Sequence, residues 1–253
     1  KFLAASKIIS AAADEWTCNP FGRDREYMSN LFDFDFIFLQ HGITKDDLSG
    51  WLNKKRQNIA LFVTSALREK QSINEDKYGY DDSVVKLTGM PRYDDLTSES
   101  MKLVTILPTW RKNLAGAVSR GSSARDYTDS FRETEYCRFY NGMINDKRLL
   151  DAMKENGYKG QFIVHPAIYE QSRDFHGNDT ICIWDGLVDY QKVFRESALI
   201  VTDYSSIAFD FAYLKKPLIY SQFDADTIYE DHVYSGKGYY SYDKDGFGPV
   251  CRN

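Results

Sequence analysis

Short runs of apolar and β-branched residues recur along the chain, separated by longer stretches in which the apolar positions fall three and four apart. The runs at 7–12, 36–39, 59–63, 84–87, 103–107, 162–165, 181–184, 199–202 and 218–220 read as strands. Strands alternating with helical patterns predict parallel sheets covered by helices, an α/β fold. Several of the runs lack a period of two, as strands buried on both faces do. Ligands in such sheets sit beyond the carboxyl ends of the strands, so those ends are where chemistry is to be sought.

The segment Gly89-Met90-Pro91-Arg92-Tyr93-Asp94-Asp95 and the polar run 97–102 interrupt the pattern and divide it into two α/β units, 1–96 and 97–253. Residues 114–125, rich in Gly, Ser and Ala, read as a loop. Residues 127–157 read as one or two helices ending at Gly157. No internal repeat of fixed period is visible. Lys1 leads almost directly into the first strand-like run, so the first unit reads as incomplete and the chain as part of a longer one.

With 253 residues, 43% of them hydrophobic and 27% charged, the chain can fill two ordinary cores. A net charge of −5 argues against nucleic acid as a partner, which calls for a basic face; an anionic ligand would need a local site. Cys18, Cys137, Cys182 and Cys251 lie far apart without zinc spacing and read as reduced structural thiols. No signal sequence opens the chain, and no apolar run approaches the roughly 20 residues that span a bilayer. These features together point to the cytoplasm.

Four features fall at predicted strand ends. In Phe38-Leu39-Gln40-His41-Gly42 an apolar strand stops at a histidine followed by a glycine that allows close backbone approach. An imidazole there could act as a general base or simply satisfy a turn. Phe162-Ile163-Val164-His165-Pro166 repeats the arrangement in the second unit, which shifts the balance toward chemistry. In Thr202-Asp203-Tyr204-Ser205-Ser206-Ile207 a strand turns into a helix at two serines, which reads as an N-cap or, with the free N–H groups of the helix start, a phosphate cradle. Arg111, in Pro108-Thr109-Trp110-Arg111, reads as a bidentate phosphate ligand or an exposed arginine. Arg92 and Asp94 read as a hinge pair or as ligand contacts. GxGxxG and P-loop patterns are absent, so hydride transfer and ATP hydrolysis lose support. The acidic pairs Asp46-Asp47, Asp81-Asp82 and Asp94-Asp95 read as solvated loops; neither a metal nor a cofactor is expected.

Taken in order, His41-Gly42, Thr88-Gly89-Met90-Pro91-Arg92-Tyr93-Asp94, Pro108-Thr109-Trp110-Arg111, His165-Pro166 and the run from Thr202-Asp203-Tyr204-Ser205-Ser206 to Phe209-Asp210-Phe211 closely resemble the CDP-glycerol glycerophosphotransferase family, the teichoic acid primases and polymerases with related capsule polymerases. Lys216-Pro217-Leu218-Ile219-Tyr220, Phe223-Asp224 and Gly248-Pro249 follow in the same order, so the resemblance runs from about residue 35 to the end. It implies a GT-B fold of two Rossmann-like lobes with parallel sheets, the first offering the acceptor side and the second holding a CDP-polyol donor. By the same resemblance His41 is the base on the acceptor hydroxyl and His165 a phosphate stabiliser. Arg111, Ser205 and Ser206 grip the diphosphate, with Gly42, Arg92, Asp94, Thr109, Pro166, Asp203 and Asp210 in support. The acceptor would be polymeric or lipid-linked, which brings peripheral contact with the inner membrane face.

After His41-Gly42 the chain reads Ile43-Thr44-Lys45-Asp46-Asp47-Leu48-Ser49, where many glycerol polymerases carry a Pro-Leu-Lys-like stretch. That departure leaves ribitol phosphate or a sugar-containing capsule repeat open beside glycerol phosphate. A GT-B sugar transferase, a UDP-sugar epimerase, or a non-catalytic lobe of a larger assembly are the competing readings, because fold does not fix function.

Overall fold

A computed structural model describes residues 5–13, 33–57, 59–117, 125–231 and 236–252. The chain forms two compact units, Lys1–Asp95 with Tyr234–Tyr240, and Leu96–Val233 with Ser241–Asn253. Each follows from its own pattern of buried strands.

In the first unit β1 (Lys7–Ser10), β2 (Asp35–Phe38), β3 (Ile59–Thr64) and β4 (Val85–Leu87) form a parallel sheet in chain order. β3 carries Ile59, Phe62 and Val63, all buried. Phe62 stacks edge-on against Phe38 at 5.2 Å and Tyr80 at 5.7 Å. Burying a ring such as Phe62 is worth about 2–3 kcal/mol, which fixes the register of the central strands. Helix α1 (Leu67–Ile73) follows β3 and packs on the sheet through Ile73. The residues after β4 turn at Gly89, whose φ of 82° lies in the left-handed region that a side chain disfavours. The segment at Gly236–Tyr240 returns to this unit: Asp47 N–H donates to the Gly236 carbonyl at 3.2 Å, and a Cβ at Gly238 would lie 2.0 Å from the Lys45 carbonyl oxygen. Only glycine permits that approach.

The second unit is a six-stranded parallel sheet in the order β10-β9-β8-β5-β6-β7. Its strands are β5 (Leu103–Ile106), β6 (Lys159–Phe162), β7 (Ile181–Ile183), β8 (Leu199–Thr202), β9 (Leu218–Ser221) and β10 (Val250–Cys251). The chain starts in the middle, builds outward through β6 and β7, then returns to build β8, β9 and β10 on the other side. That is the Rossmann order, with its topological switch between β5 and β8. Helices α2 (Glu135–Ile144), α3 (Lys147–Glu155), α4 (Tyr190–Glu196) and α5 (Ile207–Tyr213) connect the strands. The first three start at side-chain caps: Thr134 accepts from Cys137 N–H, Asp146 from Arg148 and Leu149, and Asp189 from Lys192. One core gathers Phe131, Tyr136, Tyr140 and Phe162, and another gathers Phe194, Ile200, Phe211 and Tyr220.

Three expectations shift. β6 ends at Phe162, where the apolar pattern placed its start, because Lys159 and Gly160 join the ladder despite their weak strand propensity. The helical stretch after 127 is two α-helices preceded by a 3₁₀ turn, Asp129–Glu133, and α3 ends at Glu155, two residues before Gly157, whose φ is 71°. Cys137 is buried, whereas Cys182 and Cys251 are exposed, so two thiols are not structural. Cys18 and residues 118–124 of the expected loop lie outside the described residues.

Candidate functional site

Two residues beyond the last ladder position of β2, Gln40 takes a left-handed φ of 62° and turns the chain so that His41, the third residue past the strand, stands exposed. The His41 Nδ1 lies 3.0 Å from the carbonyl oxygen of Ala11, just past β1. A carbonyl only accepts, so Nδ1 carries the proton and Nε2 of the neutral ring keeps its lone pair. The His41 carbonyl in turn accepts from the Arg92 guanidinium, which brings the Gly89-Met90-Pro91-Arg92 motif onto the same loop. Asp94 ends the Pro91–Tyr93 turn, exposed. Gly42 is half-buried beside His41.

His165 also lies three residues past its strand, β6, and leads into a 3₁₀ helix, Pro166–Asp174, with Pro166 in the first position. The hydrogen bond of its Nδ1 has the opposite sense: Nδ1 accepts from the Ala167 N–H at 3.1 Å. The ring packs face to face with Trp110, 6.1 Å between centroids. Burial drives the His165 pKa down to about 4, with only partial relief from the charge of Asp203. The ring is therefore neutral at pH 7, its proton sits on Nε2, and it can donate one hydrogen bond to an anion.

At the switch between β5 and β8 the structure gives Arg111 a role that neither sequence reading anticipated. The side chain is 2% exposed. Its Nε and one terminal nitrogen bind Asp224 at 2.7 and 3.1 Å, the same nitrogen binds Asp203 at 2.8 Å, and the other binds the Thr109 carbonyl at 2.6 Å. The guanidinium carbon lies over the rings of Tyr136 and Tyr204, 5.3 and 5.2 Å from their centroids. Burial opposes the guanidinium charge, but Asp203 and Asp224 outweigh it and raise its pKa. With its donors engaged in this way, Arg111 is not free to grip a phosphate; it ties together the loops that follow β5, β8 and β9. Asp203 completes the tie by accepting from Thr109 N–H at 2.8 Å and from Tyr140 Oη at 3.1 Å. Burial raises the Tyr140 pKa, so its hydroxyl remains a donor.

Ser205 and Ser206 lie where β8 turns into α5. Ser206 is the N-cap residue of α5 but its side chain makes no cap hydrogen bond; Ser205 Oγ instead accepts from Ile207 N–H at 3.3 Å. Among the described residues nothing accepts from the backbone N–H groups of Ser205 and Ser206 or from the Ser206 hydroxyl. Both serines are half-buried at the start of the helix, its positive end. Asp210 lies buried in the first turn of α5.

Two residues that the sequence reading passed over belong with this set. The Arg125 guanidinium lies over the Trp110 ring at 5.3 Å and donates to the Gly116 carbonyl at 3.3 Å, its backbone N–H donates to the Ala167 carbonyl at 3.0 Å, and no carboxylate pairs with it among the described residues. Arg125 and His165 thus both pack against Trp110. Glu69 is fully buried in the first turn of α1, and burial raises its pKa against the pull of its N–H partners. Only the composition of residues 114–125 marked the first, and no local signal marked the second. Of the acidic pairs, Asp46 is buried against Lys45, Asp47 binds Lys77 at 3.2 Å, and Asp82 binds Lys70 at 2.7 Å. Among the described residues no three His, Cys, Asp or Glu side chains gather as metal ligands, and no helix is long and apolar enough to cross a membrane.

The chain is similar to the minor teichoic acid biosynthesis protein GgaB of Bacillus subtilis strain 168, with 45% identity over 99% of this chain and 27% of that protein. It is similar to a teichoic acid poly(glycerol phosphate) polymerase of Bacillus spizizenii strain W23, with 23% identity over 97% of this chain and 49% of that protein. It thus spans at most about half the length of these curated relatives. The solved structure of the wall teichoic acid polymerase TagF superposes with a TM-score of 0.65 at 19% identity, covering 98% of this chain and 61% of that one, and shows that the fold is of the GT-B type. The sequence also matches, over residues 4–253, the signature of CDP-Glycerol:Poly(glycerophosphate) glycerophosphotransferase, and the chain belongs to that family.

Proposed function

We propose that this chain transfers glycerol phosphate from CDP-glycerol to a hydroxyl of a growing teichoic acid or capsule polymer and releases CMP. The observation that carries the reading is the opposite partner of Nδ1 in two strand-end histidines, a carbonyl at His41 and an N–H at His165, which leaves a bare Nε2 on the neutral His41 ring and an Nε2–H on His165. One ring is set to take a proton and the other to give a hydrogen bond. The acceptor oxygen attacks the phosphorus that bears glycerol, and its proton passes to His41 Nε2. The bond from that phosphorus to the bridging diphosphate oxygen breaks, and CMP leaves with the electron pair. His165 Nε2–H, the free N–H groups of Ser205 and Ser206 and the Ser206 hydroxyl stabilise the charge on the phosphates, the kind of preorganised electrostatics that dominates phosphoryl transfer.

On this reading residues 97–253 form the donor lobe and residues 1–96 contribute to the acceptor lobe. Arg125, not Arg111, supplies the cation beside the diphosphate, since Arg111 is held by two carboxylates. A polymeric or lipid-linked acceptor would bring the protein to the inner membrane face as a peripheral partner. The test is product analysis by mass spectrometry with CDP-glycerol, CDP-ribitol and a UDP-sugar offered side by side. CMP and a glycerol phosphate adduct are expected. Conversion of the UDP-sugar with both CDP-polyols untouched would overturn the reading, and a ribitol adduct alone would overturn the choice of polyol.

A further inference from the structure

Resting on the reading of His41 as the base, we infer that Glu69 is a positioning residue that sets the imidazole through a hydrogen-bonded clamp on its loop. Glu69 touches neither His41 nor any group assigned to substrate. Its Oε1 accepts from the Thr44 N–H at 2.7 Å and from Gln40 Nε2 at 3.1 Å. Its Oε2 accepts from the Ser65 N–H at 2.8 Å. Gln40 Nε2 also donates to the Val63 carbonyl at 2.6 Å, and Gln40 Oε1 accepts from Thr44 Oγ1 at 2.8 Å. Gln40, Thr44 and Glu69 therefore close a ring, and His41 and Gly42 lie in the span of chain that the ring pins at both ends.

The two carboxylate oxygens divide the work. Oε2, on Ser65, does what an acidic residue in the first turn of a helix ordinarily does at the residues before it. That local role needs no second oxygen. Oε1 instead reaches residues 25 and 29 positions away, and it meets the one residue of the loop with a left-handed backbone. A non-glycine residue holds φ near 60° only where its surroundings over-determine it. Here the surroundings are Glu69 and Val63. The turn at Gln40 is what aims His41 so that Nδ1 meets the Ala11 carbonyl and Nε2 is left bare. Loss of the clamp would let the ring leave Ala11, and the proton would redistribute between its nitrogens. A displacement of about 1 Å at a catalytic group can cost about a hundredfold in rate.

The experiment uses the 253-residue chain with Glu69→Ala and with Gln40→Gly; should the first fail to fold, the second keeps the Ser65 contact and permits the left-handed turn without strain, but removes the side chain that enforces it. Two readouts are taken: kcat and KM for CMP release from CDP-glycerol, and the His41 tautomer by long-range 1H–15N NMR, assigned with His41→Asn. Both variants are expected to lose about tenfold to a hundredfold in kcat with KM for the donor within about twofold, and to lose the Nδ1–H tautomer of His41. Glu69→Gln, which keeps one acceptor oxygen, should recover part of both. An unchanged tautomer, or a kcat within about twofold of the parent in a folded variant, would overturn the clamp. If His41→Asn itself turned over normally, the reading of His41 as base would fall, and the tautomer measurement would still decide whether Glu69 positions the ring.

Discussion

A histidine's chemistry depends on which nitrogen carries its proton, and in this chain a single backbone contact decides that at each ring. Ala11 accepts from His41 Nδ1, and Ala167 donates to His165 Nδ1. The sequence placed both rings at strand ends and the family resemblance suggested their roles, but the tautomers were not legible, because Ala11 is 30 residues from His41 and the sense of the Ala167 contact depends on the 3₁₀ turn after His165. His165 also carries a pH signature. Its folded pKa of about 4 lies below the unfolded value of 6.5. Above pH 6.5 both states are neutral and the ring adds no pH dependence. As the pH falls from 6.5 toward 4 the unfolded chain binds a proton that the folded chain refuses, so stability is lost, by about 2 kcal/mol between pH 7 and pH 5. Urea titrations at the two pH values should show that His165→Phe is spared most of that loss. An equal loss in the variant and the parent would contradict the buried, neutral ring.

Between elements, the loops after β5, β8 and β9 meet on Arg111. In the sequence Arg111 looked like an exposed arginine or a phosphate ligand, since nothing near it announced that Asp203 and Asp224, 92 and 113 residues later, would converge on it. Removing one partner of a buried ion pair leaves the other charge stranded, at a cost of about 3–5 kcal/mol. Arg111→Met should therefore lower the unfolding free energy by that order, as read from urea denaturation. Arg111→Lys should rescue little, because an ammonium cannot span Asp203, Asp224 and the Thr109 carbonyl in one plane. Full stability in Arg111→Met, with donor binding lost, would return Arg111 to the phosphate. The strands themselves were largely legible, because strands buried on both faces write continuous apolar runs. β6 was displaced by three residues because its first half, Lys159 and Gly160, is held by pairing and not by apolar character.

For the whole molecule, the Rossmann order of the second unit puts Ser205, Ser206, Thr109 and Asp203 at the topological switch, where α/β sheets bind ligands. The ordered motifs foreshadowed that placement, and membership of the glycerophosphotransferase family gives it a substrate class to be tested. The donors proposed to hold the phosphates include backbone N–H groups, which no residue type advertises; the sequence indicated them only through the helix start it placed at the two serines. Proton acceptance at His41 and hydrogen-bond donation at His165 are the two roles that matter most for transfer. The most direct measurement is single-turnover CMP release from CDP-glycerol by the parent chain, His41→Asn and His165→Ala, with donor binding followed by calorimetry. Loss of the base should slow release by about a hundredfold to ten-thousandfold, and loss of the His165 donor by about a hundredfold to a thousandfold. Donor affinity should hold in His41→Asn. Release within about threefold of the parent in both variants would contradict the assignment of proton acceptor and hydrogen-bond donor to these two rings.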